Sequence, residues 1–128
     1  MIKGRKMDHI GLACADVEAN AKWYQEALGF TVLGRFPGAA HAVYFLKNGE
    51  TVYELYQVDG MDEAVRGKID HIAYVSNDIE ADYRFCVEAG YEFSTDGIET
   101  WPQFFENGCR DFKIKSPCGE EIEFSQVL

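Results

Sequence analysis

Histidine and glutamate stand at matching places in the two halves of this chain of 128 residues. The first half carries His9 within Asp-His-Ile and Glu54 within Tyr-Glu-Leu. The second half carries His71 within Asp-His-Ile and Glu123 within Ile-Glu-Phe. Imidazole nitrogen and carboxylate oxygen suit Ni, Zn, Co, Mn or Fe(II) better than Ca or Mg. The four side chains therefore predict a site for one divalent transition metal, whose charge would also offset two glutamates in apolar strands.

An internal repeat supports this interpretation. Asp-His-Ile at 8–10 recurs at 70–72, and Asp-Val-Glu-Ala at 16–19 recurs as Asp-Ile-Glu-Ala at 78–81, both at an offset of 62 residues. A fixed offset indicates duplicated architecture. A single strand histidine is usually a hydrogen-bonded structural residue, so it is the matched placement in both halves that favours metal binding. His41 has no counterpart and is predicted to be a surface or pocket-edge residue.

The elements that must position these residues follow one order in both halves. In the first half, a strand is predicted over Met7–Cys14, and a helix begins at Asp16 and ends at Gly29. In the second half, a helix begins at Asp78 and ends at Gly90. The remaining strands are predicted at 30–36, 42–46, 51–57, 69–75, 91–95, 109–115 and 120–127.

Alternation along these strands predicts which face carries the four candidate ligands. Apolar neighbours such as Ile10 and Leu55 are expected to pack beneath the helix, so the histidines and glutamates lie on the opposite face. Gly11, Ala13 and Ala73 share that face, and their small size leaves open space. The chain thus reads as one domain over 1–128, with module 1 at about 7–58, a polar linker at 59–68 and module 2 at about 69–128.

Composition restricts the partners. The net charge of −10 opposes nucleic acid and anionic membranes, which require basic patches. No apolar run approaches the ~18 residues of a membrane helix, and the start lacks the apolar stretch of a secretory signal.

The four cysteines form no C-x-x-C pair, which favours a reducing, cytoplasmic location. A disulfide between Cys109 and Cys118 stays an alternative, because the two could face each other across a hairpin.

These residues resemble the vicinal oxygen chelate superfamily, which includes glyoxalase I, methylmalonyl-CoA epimerase, ring-cleaving dioxygenases and bleomycin-resistance proteins. The resemblance extends from about Met7 to Leu128 and rests on both Asp-His-Ile motifs, Leu-Gly-Phe at 28–30 and the segment at 116–124. It implies an α+β fold of two tandem βαβββ modules, which form an open cup-shaped mixed sheet with the helices outside. It also implies His9, Glu54, His71 and Glu123 as the metal ligands and a homodimer.

The His-Glu-His-Glu set is most similar to glyoxalase I and the epimerase-like branch. The resemblance implies an isomerase or lyase that acts next to a carbonyl through an enediolate, with Glu123 or Glu54 moving the proton. Glutathione-using members tend to place polar anchors where this chain has Ala13 and Val58, which disfavours glutathione as the thiol. An Fe(II)-dependent dioxygenase and a non-catalytic small-molecule binding or resistance protein remain alternatives.

A long insertion in the second half is the candidate lid of a small-molecule pocket. The offset between the halves grows from 62 to 69 residues by the end of the chain, which places the insertion at 96–108. Long loops within small domains are often functional, although aromatic rings could equally cover the end of the core. The candidate pocket residues are Trp101, Phe104, Phe105, Arg110 and Lys113.

Overall fold

A computed structural model describes residues 9–62, 67 and 69–128. The chain divides into two compact units, at residues 1–63 and 64–128. Each unit contains one helix and one four-stranded mixed sheet, so the predicted α+β class with two βαβββ modules is confirmed. The first two residues of the predicted strand over Met7–Cys14 and much of the predicted linker, at 63–66 and 68, lie outside the described residues.

The first unit consists of β1 (Ile10–Cys14), α1 (Val17–Leu28), β2 (Thr31–Pro37), β3 (Ala42–Asn48) and β4 (Thr51–Gln57). Its strands lie in the order β1-β4-β3-β2. The first strand runs parallel to the fourth, and the other neighbours are antiparallel. A parallel pair requires a crossover, which the helix provides.

Helix α1 begins and ends at the predicted residues. The side chain of Asp16 accepts a hydrogen bond from the backbone N–H of Ala19, at 3.0 Å, and so caps the helix start. Gly29 ends the helix with φ 68°, a left-handed conformation that glycine adopts without a Cβ penalty. The helix packs on the sheet through fully buried Tyr24 and Tyr53, whose ring centroids are 5.4 Å apart edge to face.

The second unit repeats the arrangement with β5 (His71–Val75), α2 (Ile79–Glu88), β6 (Glu99–Trp101), β7 (Cys109–Lys115) and β8 (Glu121–Val127). Its strand order is β5-β8-β7-β6. A side-chain hydrogen bond at the start of each helix is repeated too. Gln57 Oε1 accepts from the N–H of Val17 in α1, and Gln126 Oε1 accepts from the N–H of Ile79 in α2, both at 3.2 Å. Among the described residues, no helix is long and apolar enough to cross a membrane.

One strand prediction in the second unit is wrong. Residues 91–95 form no strand, and their pairing is limited to an isolated bridge between Phe93 and Ile114. The N–H of Lys113 donates to the side-chain oxygen of Thr95 at 3.0 Å instead of to a backbone carbonyl, which interrupts the ladder there. The edge strand is β6, which lies inside the segment predicted as a loop at 96–108.

The four cysteines are buried thiols outside any disulfide. The disulfide considered between Cys109 and Cys118 is therefore not formed. Burial raises the pKa of the Cys86 thiol to about 11, with a smaller contribution from the charge of Asp82. Burial also raises the pKa of Cys109, and the charges of Asp111 and Glu123 raise it further. These thiols are small core residues rather than nucleophiles.

Candidate functional site

The first unit brings His9 and Glu54 together. Glu54 lies in the middle of β4 between Gly11 of β1 and Phe45 of β3. Its strand neighbours Tyr53 and Leu55 are fully buried, so alternation leaves Glu54 on the face away from α1. His9 immediately precedes β1, and its Nε2 lies 3.2 Å from Glu54 Oε2. Both side chains are about one-third exposed, at 34% and 32%, so the pair is accessible from solvent.

An aromatic row continues from this pair across the same sheet. The Phe45 ring meets the His9 ring edge to face at 5.5 Å, and Phe36 meets Phe45 at 5.9 Å. Strand β2 has a bulge between Val32 and Gly34 that re-aims its later side chains. A Cβ on Gly34 would lie 2.5 Å from the Phe36 ring, so this ring occupies the space that a larger residue would fill.

The second unit brings His71 and Glu123 together in the corresponding way. His71 Nε2 lies 3.4 Å from Glu123 Oε2, and the other ring nitrogen, Nδ1, lies 2.9 Å from Asp70 Oδ2. A carboxylate only accepts hydrogen bonds, so Nδ1 carries the proton that it shares with Asp70. In the neutral ring, Nε2 then presents its lone pair towards Glu123.

Lys113 supplies one cation to Glu123. Its Nζ lies 3.3 Å from the same Oε2 atom, and the two residues are cross-strand neighbours on β7 and β8. The Glu123 side chain is 13% exposed and that of Lys113 is 24% exposed. The pair is therefore screened less by solvent than a surface ion pair. Lys113 was predicted from the sequence as a pocket residue, and it lies on the face that carries Glu123.

The other predicted pocket residues divide between two faces. Trp101 pairs with Cys109 at the end of β6, on the Glu123 side of the sheet, and its ring stacks on Phe104 at 6.0 Å. Phe105 is exposed and has φ 57°, which is strained for a bulky residue. Arg110 points to the helix side, where its Nη2 donates to Glu80 Oε1 of α2 at 2.6 Å.

His41 is separate from the His9–Glu54 pair. Its Nε2 lies 2.9 Å from Asp59 Oδ1 and 3.3 Å from Gln57 Nε2. The hydrogen bond from His41 lowers the pKa of Asp59, with help from Gln57. Its contacts are those of a structural residue at the surface, which makes it a suitable control histidine.

Sequence reasoning missed two residues of the site. Asp70 was recognised as part of a repeated motif, but its role in holding Nδ1 of His71 was not, although an Asp directly before each histidine was an available signal. Asp111 was not considered at all. It is 6% exposed, it lies on the Glu123 face of β7, and its Oδ1 is buried without a hydrogen-bond partner.

His9 and His71 each lie within 3.4 Å of the glutamate of the same unit. Within the described ranges, no group of three or more histidine, cysteine, aspartate or glutamate side chains that could hold a metal ion is formed. The combination of both pairs around one metal therefore stays a prediction. What each unit offers by itself is one imidazole nitrogen and one carboxylate oxygen within 3.4 Å of each other.

Known proteins share this sequence pattern and fold. A family model described as the Glyoxalase/Bleomycin resistance protein/Dioxygenase superfamily matches residues 6–124. An uncharacterized protein of Bacillus subtilis (strain 168), YwbC, is 33% identical over 127 residues, which cover 95% of this chain and 98% of that protein.

Two solved structures show the likeness of fold. A glyoxalase family protein from Enterococcus faecalis has a TM-score of 0.78 at 21% identity and covers 94% of this chain and 97% of its own. Lactoylglutathione lyase from Agrobacterium tumefaciens has a TM-score of 0.70 at 17% identity, with 96% and 94% covered. At these identities the two structures support the fold and not a particular activity.

Proposed function

Because the chain belongs to the glyoxalase/bleomycin resistance protein/dioxygenase superfamily, we propose that it is a divalent-metal-dependent isomerase or lyase that acts next to a carbonyl group. In this proposal, it is a glyoxalase-like or epimerase-like enzyme whose substrate is a small molecule. The proposed metal is Ni, Zn, Co, Mn or Fe(II). The proposed ligands are His9, Glu54, His71 and Glu123.

The observation that carries the proposal is the arrangement around His71. Nδ1 lies 2.9 Å from Asp70 Oδ2, and Nε2 lies 3.4 Å from Glu123 Oε2. Histidines that ligate metals usually donate their other N–H to a carboxylate or carbonyl in this manner. Two ligand atoms that bind one metal ion, each about 2.0–2.2 Å from it, lie roughly 3.0–3.4 Å from each other. The pair therefore fits a shared cation.

The first unit supports the same interpretation. His9 Nε2 and Glu54 Oε2 are 3.2 Å apart, within the same range. Gly11, the residue next to Glu54, leaves the pair accessible: a Cβ there would meet no atom closer than 3.7 Å, at Tyr56. The first unit thus offers one imidazole nitrogen and one carboxylate oxygen, which are donor types that transition metals accept.

When bound, the metal would act as a Lewis acid that stabilises negative charge on the substrate oxygen. The proton of the neighbouring carbon is then moved by a carboxylate of the chain, Glu123 or Glu54. Lys113 Nζ and His71 Nε2 both lie near Glu123 Oε2, at 3.3 and 3.4 Å. Lys113 is also the proposed anchor for a negative group of the substrate.

The substrate is proposed to be other than a glutathione adduct. Ala13 and Val58 provide neither charge nor a side-chain hydrogen bond at the places where glutathione-using relatives are expected to hold the tripeptide. The Agrobacterium structure is named a lactoylglutathione lyase, but its 17% identity supports only the fold here. We therefore propose screening 2-oxo thioesters and acyl-CoA compounds.

Elemental mass spectrometry on untagged protein tests the proposal. Wild type, His71→Ala and the control His41→Ala are compared after reconstitution with Ni, Zn, Mn and Fe(II). About one metal per chain in the wild type and in His41→Ala, with loss in His71→Ala, is the expected result. Wild-type protein that holds no metal after reconstitution would refute the proposal and leave a non-catalytic binding protein as the interpretation.

Two further measurements define the chemistry. Glu123→Gln should lower turnover far more than metal content if Glu123 moves the proton, whereas equal losses would make it a ligand only. Oxygen uptake with catechols after anaerobic Fe(II) loading would instead identify a dioxygenase.

Homodimer formation, which is proposed from the superfamily, is measured by light scattering. The proposed cytoplasmic location rests on the four thiols outside any disulfide.

A further inference from the structure

Tyr56 differs in its contacts from the other tyrosines of the chain. Six of the seven tyrosines contact an aromatic ring, as Tyr53 does, or use the hydroxyl in a hydrogen bond, as Tyr44 does. Among the described residues, Tyr56 does neither, and it is 39% exposed. Its hydroxyl can donate and accept a hydrogen bond, so it is available to a molecule that enters from solvent.

The Tyr56 ring lies over Gly11, beside the His9–Glu54 pair. A Cβ on Gly11 would lie 3.7 Å from Tyr56 Cε1, a ring carbon next to the one that carries the hydroxyl. The same Cβ would lie 3.8 Å from Glu54 Oε2. That Oε2 atom is the one 3.2 Å from His9 Nε2. The phenol of Tyr56 and the carboxylate of Glu54 therefore border the same space.

Glycine keeps this space open. Within the part of the chain that the structure describes, apart from the glycine's own chain neighbours, only Tyr56 and Glu54 have atoms within 4 Å of the Cβ position at Gly11. Both of these side chains are partly exposed, which leaves the space accessible. A small molecule that occupied it would lie between the phenol and the carboxylate.

The internal repeat indicates that the fold does not require the ring. Tyr56 follows Glu54 by two residues on the same face of its sheet, and Ser125 follows Glu123 in the same way. The same architecture thus forms with the much smaller serine. A hydroxyl is common to both units, whereas the ring that extends it over a neighbouring glycine is specific to the first.

We propose that Tyr56 is a substrate-binding residue, whose hydroxyl donates a hydrogen bond to a substrate oxygen held over Gly11 beside Glu54. The inference rests on the proposed function and narrows its substrate class to compounds with an acceptor oxygen at or next to the reacting carbon. The hydrogen bond strengthens as negative charge develops on that oxygen. A site with such a donor discriminates against analogues that lack the oxygen.

Thermal unfolding separates this role from a structural one. Tyr56→Phe keeps the ring and removes a hydroxyl that has no partner among the described residues, so the melting temperature without metal should change by less than about 2 °C. The comparison variant Tyr44→Phe removes a hydroxyl that donates to Glu18 Oε2 and should lower the melting temperature. A fall in Tyr56→Phe as large as that in Tyr44→Phe would overturn the inference.

Binding of acetohydroxamate to the Zn-loaded protein provides the second test. This small probe presents two adjacent oxygens. Nuclear magnetic resonance titration should show it binding at least about tenfold more weakly to Tyr56→Phe than to the wild type, because a hydrogen bond to a charged oxygen is lost. Tyr56→Ser should weaken binding equally, because the shorter side chain does not extend over Gly11. The control Tyr83→Phe removes a hydroxyl on α2 and should bind the probe as the wild type does.

Carbon-13 labelling of the tyrosine rings tests whether the contact is direct. The ring signal that is absent from Tyr56→Phe belongs to Tyr56, and the signal absent from Tyr83→Phe belongs to Tyr83. Addition of the probe to the Zn-loaded wild type should shift the Tyr56 signal and leave the Tyr83 signal unchanged. A Tyr56 signal that does not shift while the probe binds would overturn the inference.

Zn content distinguishes failure of this inference from failure of the proposed function. It should be the same in the wild type and in every variant, and a lower content in Tyr56→Phe would overturn the inference, because weaker probe binding would then follow from the metal. Zn-loaded wild type that binds the probe no better than Tyr56→Phe, or does not bind it, would refute the role of Tyr56 and leave the proposed function intact. Wild type that holds no metal would refute the proposed function, and the inference with it.

Discussion

Replacing Lys113 by Met should lower stability and raise metal affinity at the same time. The Nζ of Lys113 lies 3.3 Å from Glu123 Oε2. For two unit charges at that separation, an effective dielectric constant of about 20 gives roughly 5 kcal/mol of attraction. Desolvation and the lost freedom of the lysine chain offset most of it, which leaves about 1–2 kcal/mol for a pair that is neither fully buried nor fully exposed. The metal-free variant should be less stable by this amount.

The free energy of the Lys113–Glu123 interaction should also oppose metal binding. A metal ion must displace the ammonium group from Glu123, so removing that group should tighten binding by about 5- to 30-fold. Chelator competition with Zn measures the affinity, and urea unfolding without metal measures the stability. The control is Lys115→Met, whose Nζ pairs with the exposed Glu92 at 2.9 Å and which should change neither quantity by much. A variant that loses both stability and metal affinity would show that Lys113 orients Glu123 rather than competing for it.

Three further substitutions test other features of the structure. Gly34→Ala should cost about 0.5–1 kcal/mol in urea unfolding and shift the Phe36 ring resonances, because the new Cβ would lie 2.5 Å from that ring and displace it; unchanged resonances would contradict this. Phe105→Gly should raise the melting temperature, since it relieves a left-handed backbone at φ 57° worth about 1 kcal/mol; a lower melting temperature would contradict this. Hydrogen bonds from Tyr44 and Arg35 hold the pKa of Glu18 below its usual 4.5. The contribution of Glu18 to folding stability is therefore complete above pH 4.5, the pKa in the unfolded chain, and is lost as the pH falls through the lower pKa of the folded state. Between pH 5 and pH 3, the free energy of unfolding in urea should therefore decline less for Glu18→Gln than for the wild type.

Local sequence signals predicted most of the fold. Asp16 and Asp78 begin their helices as expected, because a capping carboxylate is a local interaction that neighbouring residues reveal. The segment 91–95 was misassigned because tyrosine, phenylalanine and threonine favour strands, while the side chain of Thr95 takes the hydrogen bond that would extend the ladder. The three-residue strand Glu99–Trp101 is too short for alternation to reveal it.

The candidate site was predictable in outline. Alternation and the repeat predicted that His9 and His71 lie on the same face as Glu54 and Glu123. In the structure Glu54 pairs with Gly11, two residues after His9, and Glu123 pairs with Ala73, two residues after His71. The role of Lys113 depends on the register between β7 and β8, which the sequence does not reveal. The sequence also could not predict that Asp111 Oδ1 has no hydrogen-bond partner, because the absence of a donor depends on the whole surrounding structure.

The buried thiols can report local unfolding, because they become accessible to an alkylating reagent only when the surrounding structure opens. Alkylation requires an accessible thiolate, and the pKa of about 11 for Cys86 keeps that thiol protonated and inert in the folded chain. One thiol, Cys14, belongs to the first unit, and three, Cys86, Cys109 and Cys118, belong to the second. Iodoacetamide added in mild urea should therefore mark each molecule with one, three or four additions. The mass spectrum would then report whether the two halves of a duplicated chain lose their structure together or one at a time.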